Sequence, residues 1–362
     1  MGKCNIYYRR DGRWEGRILT GKTETGKRKY KYIFGRSREV VERSIQKFKA
    51  KSILSDTCAC GKSFEDVYDE WLKNVKLRIK ESTAANYTLK ARKHILPEFG
   101  KMGLSNVNSS IINEFIEKKA KQGLSARYIT DIIVLMKSVF KYAVRLYNII
   151  DPMISVITPK KKKAEITLLD KEEQKVLENY VASNNTHTSL GVAVSMATGI
   201  RIGELCALQW KDIDMKKRIL TVRKTMQRIQ ISDSINKTKI VITEPKSESS
   251  KRDIPIPECL YNKLKQFKGK EEEYVLSGTE KFVEPRTMQY RFSKILKNVK
   301  LPSIHYHALR HIFASNCVKW GFDVKTLSEL LGHSSVKITL DRYVHTSLEE
   351  KKKYMDKVKL DF

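Results

Sequence analysis

The sequence predicts a multidomain α+β protein. It has a small N-terminal β-sheet-plus-helix domain, a four-helix domain, and a mostly helical third domain with a small antiparallel sheet. Three observations predict this. The hydrophobic period changes along the chain, from two-residue alternation near the start to helical spacing after Ser63. Two stretches without period, residues 51–62 and 151–165, read as linkers. The chain has 362 residues and 41% apolar content, enough for two or three packed domains and too apolar for a disordered polycation.

In order, residues 1–55 form the first unit. Asn5 to Arg9 and Trp14 to Thr20 read as strands joined at Asp11-Gly12, a hairpin dipeptide. Lys29 to Phe34 alternates basic and aromatic residues, as a strand with one cationic face would. Ser37 to Lys51 reads as a helix carrying Val40, Val41, Ile45 and Phe48. A sheet this small fits a DNA major groove.

The second unit, residues 63–150, opens on Ser63-Phe-Glu-Asp66, a capping box, followed by Phe64, Val67, Tyr68, Trp71, Leu72 and Val75 at helical spacing. Ser82 caps a second helix expected to stop before Pro97. Ser109 to Gln122 is a third, ended by Gly123. Ser125 to about Asn148 is the fourth, with Tyr128, Ile132, Leu135, Val139, Phe140 and Ala143 inward. A basic linker, 151–165, holds Pro152, Pro159 and Lys160 to Lys163.

Asp170 to Glu173 caps the start of the third unit, 166–345. Ser189 to Ala197 is an apolar helix broken at Thr198-Gly199, so Arg201 sits near a new helix start. Ile219 to Gln230 and Lys239 to Ile256 read as strands, the second with a hydrophilic tip at 245–252. The chain from Pro257 is helical, ending in a Lys-rich tail, 346–362, with apolar Leu348, Tyr354, Met355, Val358 and Leu360.

Net charge is +30, and residues 1–55 alone hold 16 Lys and Arg against 5 Asp and Glu. A folded protein this basic points to a polyanion, first of all nucleic acid. No apolar run approaches the roughly 20 residues of a membrane span, and Met1 to Arg10 lacks the apolar stretch of a secretory signal. A cytoplasmic, nucleoid-associated location is expected. The six cysteines are too scattered for a disulfide framework, and Cys58-Ala-Cys60 lacks a second ligand pair nearby for zinc. Free thiols are expected.

The chemistry concentrates near the C-terminus. His307 and Arg310 are three residues apart, so on a helix they share a face toward one small anion. Arginine forks onto two phosphate oxygens. Tyr343, ten residues after Leu331-Gly332-His333, is a candidate nucleophile. Tyr290 and Tyr306 are competing tyrosines, and His305, His307 and His311 together could suggest a metal, against which Arg310 would intrude as a cation. Arg201, near a helix start, adds a second guanidinium. Glu204, one turn on, reads as support for the fold.

Four segments carry a resemblance. Ala197-Thr-Gly-Ile-Arg-Ile-Gly-Glu-Leu205, Pro245-Lys-Ser-Glu-Ser-Ser-Lys-Arg-Asp-Ile-Pro255, His307-Ala-Leu-Arg310, and Leu-Gly-His-Ser-Ser followed by Asp341-Arg-Tyr-Val-His345 occur in one order and spacing. The set resembles the tyrosine recombinases of the phage and integrative conjugative element integrase type. The resemblance implies an arm-site-binding domain at 1–55, a core-binding domain at 63–150 and a catalytic domain at 166–345.

It implies a site-specific recombinase that cuts and rejoins double-stranded DNA at core and arm sites, without ATP, metal or other cofactor. Arg201 and Arg310 would hold the non-bridging oxygens. Tyr343 would form a 3′-phosphotyrosine. Lys246 would protonate the leaving 5′-oxygen, with Lys251 and Arg252 of the same loop competing for that role. His307 would assist the tyrosine or bind a phosphate oxygen, and His333 would complete the phosphate cage. A homotetramer on DNA, DNA-bending or directionality factors, and a tail docking in cis or in trans are also implied. A type IB topoisomerase and a non-catalytic DNA-binding regulator are the alternatives.

Overall fold

The structure is a computed structural model and describes residues 5–9, 11–22, 28–46, 61–160, 167–231, 237–245, 248–343, 352 and 356. It divides into two compact units, Met1–Lys162 and Lys163–Phe362.

In the first unit, β1 (Asn5–Tyr8), β2 (Trp14–Lys22) and β3 (Arg28–Gly35) form one antiparallel sheet in that order. Gly12, at φ +80, makes the β1–β2 turn, a left-handed position that glycine occupies without a Cβ penalty. Residues 38–46 form α1. Its inward face is Val41 and Ile45, one turn apart, buried with Ile18. Val40 is 49% exposed, because it points away from that face. Phe48 lies outside the described residues.

The expected cationic face of β3 takes a different form. Strand side chains alternate, so Tyr30, Tyr32 and Phe34 share the open face while Lys31 points the other way. The cations come from elsewhere. The Arg17 guanidinium lies 5.5 Å from the Tyr7 and Tyr32 rings, and Arg9 and Arg13 lie 5.6 and 5.8 Å from Phe34.

The helical part begins with α2 (Phe64–Lys76), where Ser63 and Asp66 exchange capping bonds of 2.9 and 3.2 Å. The second helix, α3 (Glu81–Lys90), starts after Lys80, so Ser82 lies inside its first turn and does not cap it. Nor does the chain stop before Pro97. A π turn, Ala91–Ile95, leads into α4 (Leu96–Phe99), and Pro97 sits in the first turn, where its missing N–H breaks no helical bond. Asn108 and Ser125 cap α5 (Ser109–Lys121) and α6 (Ala126–Tyr147). Phe64, Trp71, Phe99, Leu135 and Phe140 centre the core.

The second unit opens with α7 (Lys171–Ser183), capped by Asp170, then α8 (His187–Thr198) and α9 (Ile202–Cys206). The segment 219–230, expected as one strand, is two. β5 (Ile219–Val222) joins β4 (Ile213–Asp214) and β8 (Arg252–Pro255), while β6 (Thr225–Gln230) pairs with β7 (Thr238–Thr243). Arg223 and Lys224 are consecutive and both exposed, which breaks the alternation a single strand needs. Helices α10 (Glu258–Phe267), α11 (Pro285–Asn298), α12 (Ala308–Lys319), α13 (Val324–Leu331) and α14 (Val336–Tyr343) complete the unit. Its core gathers Leu190, Val194, Leu205, Leu220, Met288, Phe292 and Leu309.

Cys206 and Cys317 are buried free thiols, pushed up to about 12 by burial, and Cys259 is exposed and free. Cys4, Cys58, Cys60, Lys161 to Lys163 and most of the tail lie outside the described residues. No described helix is long and apolar enough to cross a membrane.

Candidate active site

The site is built on the C-terminal end of α13. The last carbonyls of a helix lack intrahelical partners and carry the negative end of its dipole. Here three successive ones each accept from a different arginine. Leu330 O accepts from Arg252 Nε at 2.6 Å, Leu331 O from Arg310 Nη2 at 2.6 Å, and Gly332 O from Arg201 Nη2 at 2.9 Å. Guanidinium groups from α9, α12 and β8 thus meet at one helix end.

Two glycines make the approach feasible. Gly332 ends α13 at φ +62, and a Cβ there would meet Ser249 O at 2.9 Å and Arg252 Cδ at 3.0 Å. Gly199 ends α8 at φ +62, where a Cβ would meet Phe313 at 2.4 Å, and its carbonyl accepts from Arg310 Nη1 at 2.8 Å.

Arg201 stands at the N-cap of α9, as the sequence predicts. The anion at that helix start is the protein's own. Glu204 Oε2 accepts the Arg201 N–H at 3.1 Å and the Arg252 Nη2 at 2.9 Å, while Oε1 accepts Arg201 Nη1 at 2.7 Å. Burial alone would raise the Glu204 carboxyl, but Arg252 and then Arg201 outweigh it and hold it below its ordinary value. The expected role of Glu204 as support therefore has a specific form. Arg310 is 2% exposed, and burial, then the like charges of Arg201 and Arg252, lower it to about 9. It is still a cation at neutral pH. Three guanidiniums against one carboxylate leave a net positive cluster suited to an added anion.

The aromatic side of the site runs from His307 through His311 and Tyr343 to His333. The His307 and His311 rings lie 5.0 Å apart and perpendicular, and His311 lies 5.4 Å from Tyr343. Tyr343 and His333 are parallel at 6.3 Å. His333 Nδ1 and Thr339 Oγ1 are hydrogen-bonded at 2.8 Å. The Tyr343 ring packs in a small cluster with Phe313, Cys317, Leu327 and Leu331. His307 and Arg310 do not present side by side as their spacing predicts. His307 is exposed at the start of α12 and Arg310 is buried, so they approach the site from different depths.

The competing tyrosines are elsewhere. Tyr306 is buried, donates to Gly191 O at 3.2 Å and is hydrogen-bonded to Ser195 at 2.9 Å, while Tyr290 is exposed on α11. Lys246 lies outside the described residues. Of its rivals, Lys251 pairs with Glu244 at 3.0 Å and Arg252 is committed to the helix end. Among the described residues no group of His, Cys, Asp or Glu is arranged to hold a metal, His305, His307 and His311 included.

Sequence reasoning gave His311 no role and weighed Arg252 only as a competitor of Lys246, so it missed the place of both in the cluster. His311 follows His307 by four residues, a same-face spacing that was visible. Arg252 stood in a run of hydrophilic residues, where nothing local distinguishes a buried arginine from a solvated one.

Known proteins share the sequence family and the fold. The family model described as phage integrase family matches residues 167–350, and that of the phage integrase N-terminal SAM-like domain matches 63–120. A tyrosine recombinase XerC-like protein of Caldanaerobacter subterraneus subsp. tengcongensis is 27% identical over 92% of each chain. The ICEBs1 integrase of Bacillus subtilis is 26% identical over 82% of each. Among solved structures, the Tn1549 transposon integrase in complex with a circular intermediate DNA superposes with a TM-score of 0.68 at 20% identity, covering 81% of this chain and 98% of that one. The chain belongs to the phage integrase family and is, by class, a tyrosine-type site-specific recombinase.

Proposed function

We propose that this recombinase integrates and excises a mobile genetic element by passing DNA strands through a covalent 3′-phosphotyrosine. The observation that carries the reading is the meeting of Arg201, Arg310, His333 and Tyr343 around one helix end. The similarity to an integrase named for ICEBs1 supports the mobile-element part.

In this reading the scissile phosphate takes its place beside Arg201 and Arg310, which neutralise the charge that builds on the non-bridging oxygens. Tyr343 Oη attacks phosphorus. The Oη–P bond forms, the P–O5′ bond breaks, and the phenolic proton leaves with help from His307. The departing O5′ takes a proton from Lys246, assigned on the family resemblance. His333 completes the cage. The link keeps the phosphodiester's energy, so a 5′-hydroxyl can reverse the step without ATP.

The DNA partner is engaged at core sites by residues 63–345 and at arm sites by the open face of the N-terminal sheet. By likeness to the family, the working form is a homotetramer on DNA, assisted by bending or directionality factors.

The test is a nicked suicide duplex carrying the DNA end that flanks the gene. Wild type is expected to accumulate a covalent protein–DNA adduct, and Tyr343→Phe to bind the same duplex without one. No adduct from either protein favours a DNA-binding regulator. Site-independent relaxation of any supercoiled plasmid would favour a topoisomerase.

A further inference from the structure

We infer that Arg252 is a positioning residue of the phosphate cradle, acting through Glu204 and the end of α13; the inference rests on the active-site reading above. Arg252 has no assigned part in the chemistry, yet its side chain is among the most enclosed cations of the unit, at 6% exposure. Its three nitrogens are all committed to the protein: Nε to Leu330 O at 2.6 Å, Nη1 to Ser250 O at 3.1 Å, and Nη2 to Glu204 at 2.9 Å. Arg201 and Arg310 are bonded to the protein through their two Nη atoms, whereas Arg252 is bonded through Nε as well. What it grips is the apparatus that aims Arg201.

Arg201 is fixed at two points, Glu204 Oε1 and Gly332 O. Arg252 holds the other oxygen of the same carboxylate and the carbonyl two residues before Gly332. Both tethers of Arg201 are thus pinned from behind by Arg252. Without it, Glu204 keeps one cationic partner in a buried setting and can turn, and the helix end loses one of its three donors. The bond to Ser250 adds a third consequence. Arg252 begins β8, directly after Ser250, so the same side chain holds the start of that strand against Gly332.

A residue needed only for folding would lower the amount of active enzyme without changing what the active fraction prefers. A cradle residue changes the preference. The experiment compares two nicked duplexes of the flanking DNA end, one with a normal scissile phosphodiester and one with a neutral methylphosphonate there. A methyl group in place of one non-bridging oxygen removes the charge that the arginines must neutralise. The ratio of the two adduct rates is independent of how much protein is folded.

Arg252→Gln is expected to slow adduct formation on the phosphodiester by about 10–100-fold, the order seen when a partner that orients a reacting group is lost. The rate on the methylphosphonate should fall much less, so the ratio drops. Arg252→Lys, which keeps the charge but not the fork, should fall between Arg252→Gln and wild type. Arg201→Ala and Arg310→Ala serve as controls for the active-site reading itself. If those leave the ratio unchanged, the active-site reading has failed. If those lower it and both Arg252 variants keep the wild-type ratio, Arg252 is structural and the inference is overturned. It is overturned equally if neither Arg252 variant shows a cooperative thermal melt while wild type does.

Discussion

Two carboxylates in this molecule each lie beneath a pair of arginines, with opposite results. In the second unit Glu204 joins Arg201 and Arg252, and the arginines continue into backbone carbonyls. In the N-terminal sheet Glu15 joins Arg9 and Arg17. There the arginines are 45% and 50% exposed and continue onto aromatic rings. Glu15 itself is only 3% exposed, so the difference lies in its half-exposed partners. Carbonyls fix a guanidinium in direction, whereas a ring face holds it at a distance and allows it to slide. The first arrangement suits a transition state that needs donors aimed in advance. The second suits a surface that adjusts to a groove.

The largest expected difference is in rate. Arg310→Ala removes a preorganised donor and should cost about 10²–10³ in adduct formation on a core-site duplex. Arg17→Ala should leave that rate unchanged when the duplex carries no arm site. Quenched time courses on the suicide duplex measure both. Equal losses would erase the distinction between the two arginine sets.

Stability comes next. Glu204 is buried and its removal strands two guanidiniums, so Glu204→Ala should lower the unfolding free energy by about 3–5 kcal/mol. Glu15 is buried too, but its arginines are 45% and 50% exposed and rehydrate readily, so Glu15→Ala should shift the urea midpoint less than Glu204→Ala does. A matching loss at Glu15 would mean that the sheet's pair is structural after all.

How much of this was legible follows from the range of each cue. Capping boxes at Ser63 and Asp170, the Gly199 break and the amphipathic faces around Trp71 and Phe140 are local, and the folded chain keeps them. The arginines, histidines and tyrosine of the site could be picked out because they lie in compact motifs. Their meeting point could not, since the carbonyls of residues 330–332 leave no mark on the sequence. Ser82 and Pro97 misled for a related reason. Each is compatible with a helix boundary, but α3 already starts after Lys80, and the burial of Ala91, Ile95 and Phe99 carries the helical path past Pro97. The division of 219–230 between two sheets depends on partners far along the chain, β7 and β8.

The pH response tests the buried pair, although Glu15 is likewise held below its ordinary value, by Arg17 and then Arg9. Arg252 and Arg201 hold Glu204 below its ordinary value of 4.5. A lowered folded value means that its contribution is complete above the unfolded value and fades as pH falls through the folded one. Stability of the second unit should therefore decline as pH falls below the ordinary value of 4.5 and on through the lowered folded value. Glu204→Gln should flatten that decline while lowering the plateau at neutral pH, which urea titrations across this range would show. An unchanged slope in the variant would place the acid sensitivity in other carboxylates.

The smallest effect lies in salt dependence, and it addresses the sheet directly. Each phosphate neutralised by a bound cation releases counterions, so affinity falls with salt in proportion to the number of such contacts. If Arg17, between Tyr7 and Tyr32, meets a phosphate, Arg17→Ala should reduce the slope of log K against log salt by about 1 and weaken all arm duplexes alike. If Arg17 reads a base edge instead, the slope stays near the wild-type value and discrimination between arm sequences is what disappears. Glu15→Gln helps decide between these, because it leaves the rings in place while loosening the arginine's tether. A base-reading arginine depends on fixed direction and should lose specificity in that variant, whereas a phosphate contact tolerates the freedom. Should both substitutions leave arm binding untouched at every salt concentration, the aromatic–arginine face is not the DNA surface, and the likeness between the two clamped carboxylates is one of chemistry without a shared purpose.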